Sequence, residues 1–497
     1  MTELARPEAN ERADTLRYTH VLTDRSTGLV RRHPVFCVVL GVAALLRLLA
    51  FVAYLPALEF TGDSYSYLTE ARTGVPNPFR PYGYSLFLKL LGATGALWVV
   101  PAVQHLMGLG LGIALYAFLL RRGLPRGLAV VGAAPVLLDA YQVDVEQFVL
   151  SETLVAVLLL GGLLTLLWRP VPAVAGCGLA GLLLAAATLT RTVALGVGAL
   201  ALGYLVVRRL GVRRVAAFTL AFGLPLLAYA GWFRAERGPF SLQAGSGLFL
   251  YGRVAPFAEC SKVSGLSPRQ YVLCSPHPPS ERPGSNWYVW DRASPRYRLG
   301  PLPEANRILA DFAEKVVVAQ PGDYATMIAG DLAHYVAPGR WVGRRDFYLG
   351  SWRFPNGSEQ ARWNVGQSLV GFDGQRLERR YSRPLAVVLR GYQRQGFTPG
   401  PLLALMAAVG VAAAVAWPRR GGWRARQDCL LLVASGAALL AMPAATAVFD
   451  YRYLLPTLLV LPPAAALGAH RLRLAWGQDR DRDRGGAPRA AAAAAGS

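Results

Sequence analysis

A carboxylate, Asp63, follows the first long apolar segment almost immediately, in the run Gly62-Asp63-Ser64. A helix end holds a side chain more rigidly than a loop does, and a carboxylate held in this way suits a general base. If residues 63–70 are helical, Tyr67 and Glu70 lie on the same face as Asp63. The alternative is that Asp63 only caps the helix that follows it.

Three arginines lie at the ends of apolar segments on the side that holds few other basic residues. They are Arg80, Arg191 and Arg452. A guanidinium group binds phosphate through two parallel hydrogen bonds, and a lipid phosphate lies at the depth of a helix end. We therefore expect these three side chains to bind a lipid phosphate. Alternatives are that Arg191 reaches to nearby headgroups and that Arg452 pairs with Asp450.

A second acidic group lies in and after the predicted loop between the third and fourth apolar segments, and consists of Asp144, Glu146 and Glu152. Carboxylates on neighbouring loops can support a catalytic group or hold a divalent cation such as Mg²⁺ or Mn²⁺. No cofactor is required by the sequence. The alternatives are a solvated acidic loop for Asp144 and a carboxylate that stabilises a helix N-terminus for Glu152.

The composition is that of a helical membrane protein, because 53% of the residues are hydrophobic and the chain contains 52 Gly and 34 Pro. The formal net charge is +22. Most arginines lie in short loops and tails, where anionic lipid headgroups are nearer than any polymer, so no nucleic-acid partner is expected. The bilayer is the expected partner, and a multi-pass protein of the cell membrane is the expected class.

About ten segments are long and apolar enough to be read as transmembrane helices, which predicts an all-α polytopic fold. Short loops on one side are basic, and the positive-inside rule makes that side cytoplasmic. The acidic residues between positions 33 and 234 lie on the other side. The predicted spans are 34–56, 96–119, 126–141, 151–168, 173–189, 194–208, 215–234, 399–417, 428–448 and 453–470.

The predicted organisation follows from these spans. A large extracytoplasmic segment separates the seventh helix from the eighth, and the first outer loop, 57–95, carries the candidate base. The predicted units are a cytoplasmic N-terminal tail at 1–33, an N-terminal membrane module at 34–235, an extracytoplasmic domain at 236–397, C-terminal membrane helices at 398–470 and a disordered cytoplasmic tail at 471–497.

The large extracytoplasmic segment is rich in aromatic residues, Trp341 and Trp352 among them. Such rings can stack on sugars, but they more often form the core of a small domain. Cys260 and Cys274 also lie in this segment. In an oxidising compartment they can close a short disulfide, and two free thiols are the alternative.

Several short motifs together resemble the polytopic glycosyltransferases of the GT-C type, which include aminoarabinose transferases and protein O-mannosyltransferases. The motifs are Gly62-Asp63-Ser64 with Tyr67, Arg80-Pro81-Tyr82-Gly83-Tyr84, Ser151-Glu152, Thr190-Arg191 and Asp450-Tyr451-Arg452-Tyr453-Leu454-Leu455-Pro456. The resemblance implies a polyprenyl-phosphate sugar as donor and assigns the catalytic aspartate of the first outer loop to Asp63. Ser64 stands where the protein O-mannosyltransferases often have glutamate, so the resemblance does not extend to that subgroup.

The sequence thus predicts an inverting hexosyl- or pentosyltransferase of the cell envelope, with its active site on the extracytoplasmic face and a lipid, a glycan such as a cell wall glycan, or a protein as acceptor. Two alternatives belong to other classes. One is a polytopic transporter or lipid flippase, which usually shows repeated broken helices. The other is a polymer transferase similar to the O-antigen ligases.

Overall fold

The computed structural model describes residues 31–60, 62–302, 304–355, 370–415 and 423–483. Most of the predicted N-terminal tail and the last part of the predicted disordered tail lie outside these residues. The described part of the predicted tail is helical, since the final helix continues to Asp483. That stretch contains no proline after Pro463, so nothing in the local sequence ends the helix at residue 470.

The first half of the chain is almost entirely helical. Its helices are α1 Pro34–Ala53, α2 Asp63–Thr73, α3 Gly83–Leu91, α4 Val99–Arg121, α5 Arg126–Leu138, α6 Ala140–Gln147, α7 Glu152–Leu167, α8 Val174–Thr190, α9 Ala194–Val207 and α10 Val212–Arg237.

A segment with shorter elements follows, and three further helices complete the chain. The helices of the segment are α11 Ser246–Val254, α12 Ser285–Trp290, α13 Glu304–Ala319, α14 Pro321–Tyr335 and α15 Arg383–Gln393. The last helices are α16 Gly400–Val415, α17 Trp423–Thr446 and α18 Leu461–Asp483, with a 3₁₀ helix at Tyr451–Leu459 before α18. Two short strands, β1 Tyr54–Leu55 and β2 Arg380–Tyr381, pair antiparallel with Tyr54 opposite Tyr381.

The membrane-spanning helices are fewer than the ten predicted when length and composition are both required. Within the described residues four helices qualify, namely α1, α4, α10 and the Arg426–Thr446 part of α17, and the number rises to six if each of two bent pairs is one span. The bent pairs are α5 with α6, at 43°, and the 3₁₀ helix with α18, at 41°. The other predicted spans, α7, α8, α9 and α16, are apolar helices of 14 to 17 residues.

The segment between α10 and α16 has its own hydrophobic core. Buried Leu248 and Tyr251 from α11 pack with Leu309 and Phe312 from α13. A disulfide joins Cys260 to Cys274, with 5.9 Å between their Cα atoms. Aromatic side chains therefore serve mainly as core in this part of the segment.

The predicted sidedness can be tested at two exposed positions. Tyr65 on α2 is 46% exposed, and Arg213 at the start of α10 is exposed as well. In intact cells we expect a membrane-impermeant maleimide to label the Tyr65→Cys variant and to label the Arg213→Cys variant only after lysis, with the parent chain as background. Labelling of position 65 only after lysis would contradict the extracytoplasmic site.

Candidate functional site

Helix α2 is fastened to the chain segment that joins α6 to α7. The Ser64 hydroxyl donates to the carbonyl oxygen of Val149 at 2.8 Å and accepts from the backbone N–H of Phe60 at 2.9 Å. The Tyr67 and Ser151 hydroxyl groups are 3.1 Å apart. These bonds hold Asp63, the first residue of α2, close to Glu152, the first residue of α7.

Asp63 is not a helix cap. The N-cap position belongs to Gly62, and the Asp63 carboxylate, only 5% exposed, contacts two arginines instead. Arg80 donates to Oδ1, and Nη1 of Arg452 donates to Oδ2 at 2.9 Å. The capping alternative is therefore wrong, because both oxygens of the carboxylate contact guanidinium groups.

Arg80 reaches Asp63 because the start of α3 lies against the end of α8. A Cβ atom on Gly83 would lie 2.5 Å from the carbonyl oxygen of Leu189, so this approach requires glycine. The same approach places the loop that carries Arg80 beside Arg191, which follows α8. The Arg80 guanidinium also lies 5.5 Å from the centre of the Tyr67 ring.

Arg452 is the centre of the cluster. Its Nη1 lies 2.9 Å from Asp63 Oδ2 and 3.4 Å from Glu152 Oε1, and its Nε lies 3.0 Å from Asp450 Oδ2. Its backbone N–H donates to Asp450 Oδ1 at 2.9 Å, which fixes the start of the 3₁₀ helix. The Trp352 ring, whose centre is 4.9 Å away, covers the guanidinium. One cation thus connects three carboxylates.

Glu152 joins the last arginine to the cluster. Its Oε1 accepts from Nη1 of Arg191, while its Oε2 is buried and accepts no hydrogen bond from any residue the structure describes. Arg191 stacks near the Tyr453 ring, at 5.5 Å from its centre. The expectation that Glu152 stabilises a helix N-terminus holds for its position, but its main contacts are to arginines.

The charges of the cluster balance. Three carboxylates, those of Asp63, Glu152 and Asp450, face three guanidinium groups. Burial alone raises the pKa of Asp63, but the adjacent Arg80 and Arg452 and the nearby Arg191 together lower its pKa below the usual value. Asp63 is consequently ionised at neutral pH in the free protein.

The structure brings together Asp63, Glu152 and the three arginines, and it does not bring Asp144 or Glu146 to them. Residues 140–147 are a buried helix, not a solvated surface loop. Both oxygens of Asp144 are buried and accept no hydrogen bond from a described residue. The solvated-loop alternative for Asp144 is therefore wrong, because the chain bends at the break between α5 and α6 and returns into the protein.

Glu146 belongs to a separate buried network. Its two oxygens accept from Nε and Nη2 of Arg47 at 2.8 and 2.9 Å, and Nδ1 of His105 lies 3.1 Å from Oε2. A Cβ on Gly108 would come within 2.1 Å of the carboxylate, so α4 needs glycine there. The intramembrane arginine of α1 thus serves a structural ion pair.

The carboxylates do not form a site for a divalent cation. Among the described residues no three His, Cys, Asp or Glu side chains are grouped so that they could hold a metal ion. Asp63, Glu152 and Asp450 each face an arginine instead. The alternative of a Mg²⁺ or Mn²⁺ site therefore does not fit the arrangement of these described carboxylates.

Sequence reasoning gave no role in the site to two of its members, Asp450 and Trp352, whereas it placed Glu70 beside Asp63. Asp450 was considered only as a partner of Arg452, although it stands two residues away in the same motif. Trp352 comes from the large segment, and nothing in its local sequence distinguishes it from core aromatics. Glu70 lies on the same face of α2 as Asp63; burial raises its pKa to about 7, and Oε2 accepts from the Ser85 hydroxyl at 2.7 Å.

Comparisons with known proteins give a distant likeness only. No protein-family model matches the chain, and no curated protein does. The archaeal oligosaccharyltransferase AglB from Archaeoglobus fulgidus, solved with an inhibitory peptide and a dolichol-phosphate, is similar at 14% identity and a TM-score of 0.37. That alignment covers 93% of this chain and 53% of AglB.

The apo form of the Archaeoglobus fulgidus oligosaccharyltransferase is similar at 13% identity and a TM-score of 0.36, over 91% of this chain and 52% of the other. The chain therefore spans about half the length of the solved structures that it matches. TM-scores this low do not relate individual residues of the two chains.

The two buried acids of α6 should respond differently to neutral substitution. Glu146→Gln leaves Arg47 buried without its counter-charge, and breaking a buried ion pair costs about 3–5 kcal/mol. Asp144→Asn removes a carboxylate that accepts no hydrogen bond from a described residue. We expect a clear fall in the thermal unfolding temperature in detergent for Glu146→Gln and none for Asp144→Asn. An equal fall for both would contradict the assignment.

Proposed function

We propose that the protein is a membrane glycosyltransferase that moves a hexosyl or pentosyl group from a polyprenyl-phosphate sugar to an acceptor on the extracytoplasmic face. The acceptor is a lipid, a glycan or a protein of the cell envelope. The observation that carries the proposal is the contact of one buried carboxylate, Asp63, with two arginines, Arg80 and Arg452, at a helix end. Such a group combines a base with cations that can hold a lipid phosphate.

Donor binding exchanges the partners of the arginines. A lipid phosphate at the helix ends offers oxygens to Arg80, Arg191 and Arg452, which are the groups that now contact Asp63 and Glu152. As these guanidinium groups turn to the phosphate, Asp63 loses the charges that lower its pKa. The donor therefore makes Asp63 a stronger base at the moment when a base is needed.

The transfer step balances in atoms and charge. The acceptor oxygen attacks the anomeric carbon, the bond from that carbon to the phosphate oxygen breaks, and the acceptor proton goes to Asp63. The leaving polyprenyl phosphate gains one negative charge while Asp63 loses one. The arginines, which have already turned to the phosphate on donor binding, stabilise the charge that develops there. Attack from the face opposite the leaving group inverts the anomeric centre.

Exclusion of water favours transfer to the acceptor. Asp63 and Asp450 are 5% and 1% exposed, and Trp352 covers the Arg452 guanidinium. In such surroundings electrostatic contacts are stronger than in water. Few water molecules can then compete with the acceptor hydroxyl for attack on the sugar. Positioning of two substrates accounts for the remaining acceleration, because the phosphate is already a good leaving group.

The proposal predicts that Asp63→Asn abolishes transfer in detergent. The substitution keeps the size of the side chain and removes the base, and loss of a general base costs about a hundredfold to ten-thousandfold in rate. The measurement is release of polyprenyl phosphate from a panel of polyprenyl-phosphate sugars by the purified chain with an extract of acceptors. Thermal unfolding shows whether the variant is folded.

Asp144→Asn is the matched control, since Asp144 is equally buried but lies outside the cluster, and it should keep the parent rate. Activity of Asp63→Asn within a few-fold of the parent would remove Asp63 from catalysis. A transporter has no release activity in detergent. Movement of substrate across vesicles without any release would therefore overturn the glycosyltransferase proposal.

The exchange of arginine partners also predicts that kcat/KM and kcat lose activity at different pH values on the acid side of their pH profiles. The pH profile of kcat/KM reports the free enzyme, in which the adjacent arginines lower the pKa of Asp63, so activity should fall only at a pH below the usual range of an aspartate. The profile of kcat reports the enzyme with donor bound, and its acid limb should lie at higher pH. Coinciding limbs would contradict the exchange.

Glu70→Gln provides the control for this profile. Glu70 lies near Arg80 and has a pKa of about 7, so its titration could be mistaken for that of Asp63. The separation between the two limbs should persist in the variant if Asp63 is the group that titrates.

A further inference from the structure

An open cleft lies on the large segment, between the end of α14 and the loop that follows it. Its volume is about 630 Å³, and its lining includes Ser280, Asp331, His334, Trp341, Arg344 and Asp346. None of these side chains takes part in the cluster around Arg452. The function proposed above leaves this cleft unused.

The floor of the cleft is aromatic. The Trp341 ring is 55% exposed and stacks on the His334 ring, with 3.8 Å between centroids. The opposite face of His334 is supported by Phe449, at 4.1 Å and nearly parallel. His334 Nε2 lies 3.0 Å from the carbonyl oxygen of Trp341, which holds the two rings in place. A large indole is thus fixed at the surface rather than packed into a core.

Charged groups surround this floor. Asp346 Oδ2 accepts from the backbone N–H of Gly343 at 2.6 Å and lies 3.4 Å from Nδ1 of His334. Asp331 forms an ion pair with Arg253 of α11. Carboxylates accept hydrogen bonds from hydroxyl groups and guanidinium groups donate to hydroxyl oxygens, so the rim can bind a ligand rich in hydroxyls.

The cleft connects to the cluster through four residues. Phe449 supports His334 on one side, and Arg452 contacts Asp63 on the other. Three peptide units separate them, a span of at most about 11 Å between Cα atoms. Tyr335 follows His334 in the sequence, and its hydroxyl donates to the carbonyl oxygen of Asp450 at 3.0 Å. The cleft and Asp63 are therefore contacted by the same short stretch of chain, residues 449–452.

We propose that this cleft binds the acceptor of the transfer and that the acceptor is an oligosaccharide, an inference that rests on the function proposed above. A fixed indole face with hydroxyl-binding groups around it suits the flat apolar face and polar edge of a sugar ring. A peptide acceptor fits less well. The described lining has no strand edge to extend and consists otherwise of small and charged residues, with no deep apolar pocket for a side chain.

Two variants test the cleft. Trp341→Ala removes the stacking face, and Ser280→Trp fills the cleft from an exposed position without touching the stack. Each should weaken binding of the purified full-length chain to a panel of defined neutral hexose and pentose oligosaccharides by about tenfold, the effect of one stacked ring. Each should raise the KM for the oligosaccharide acceptor and leave kcat near the parent value. Tyr271→Ala, an equally exposed ring of the same segment, is the matched control and should change neither.

Binding of polyprenyl phosphate, measured on the same samples, separates this inference from the function on which it rests. Oligosaccharide binding that is lost in both cleft variants, with polyprenyl phosphate binding retained, supports the inference. Three outcomes overturn it: no oligosaccharide binds the parent, the cleft variants bind oligosaccharides as the parent does, or a peptide panel binds in their place. A parent that binds oligosaccharides in the cleft but neither binds polyprenyl phosphate nor releases it overturns the glycosyltransferase function and leaves a carbohydrate site.

Discussion

The contact of Arg452 with three carboxylates is the interaction on which the rest of the site depends. Arg452 is 8% exposed and joins Asp63, which lies 389 residues away in the sequence, to Glu152 and Asp450. Removing charges from water costs several kcal/mol for each ion, and only close opposite charges compensate that cost. Arg80 and Arg191 share this role at Asp63 and Glu152, but only Arg452 contacts all three acids. The site therefore forms only when α2, α7 and the 3₁₀ helix are packed together.

Two of the buried charge networks differ in how completely their carboxylates are hydrogen-bonded. In the network of Arg47, Glu146 and His105, the carboxylate accepts from side chains on several sides and glycine at position 108 closes the space around it. In the site cluster, by contrast, Glu152 keeps one oxygen without a hydrogen-bond donor among the described residues. The first network is saturated and structural. The second retains capacity to exchange partners, which is the property that a substrate-binding group of ions requires.

The sequence predicted part of this site because topology places helix ends together. Asp63, Glu152, Arg191 and Arg452 each stand next to a long apolar segment, so the membrane plane brings them to a common level. The same reasoning failed for Asp144 and Glu146, because the break after α5 turns α6 inward and no residue pattern signals the direction of that turn. Trp352 was equally unpredictable, since its contact with Arg452 depends on how a segment without regular periodicity folds back.

The unusual backbone of Tyr451–Leu459 explains how one short stretch serves several partners. A 3₁₀ helix of nine residues is long for this conformation, whose hydrogen bonds are weaker than those of an α-helix. Asp450 holds its start through the N–H of Arg452, and Tyr335 holds the carbonyl oxygen of Asp450. Because external side chains fix this segment, its residues need not follow one helical face. Phe449, two residues before this helix, supports the rings of the cleft, while Arg452 within it contacts Asp63.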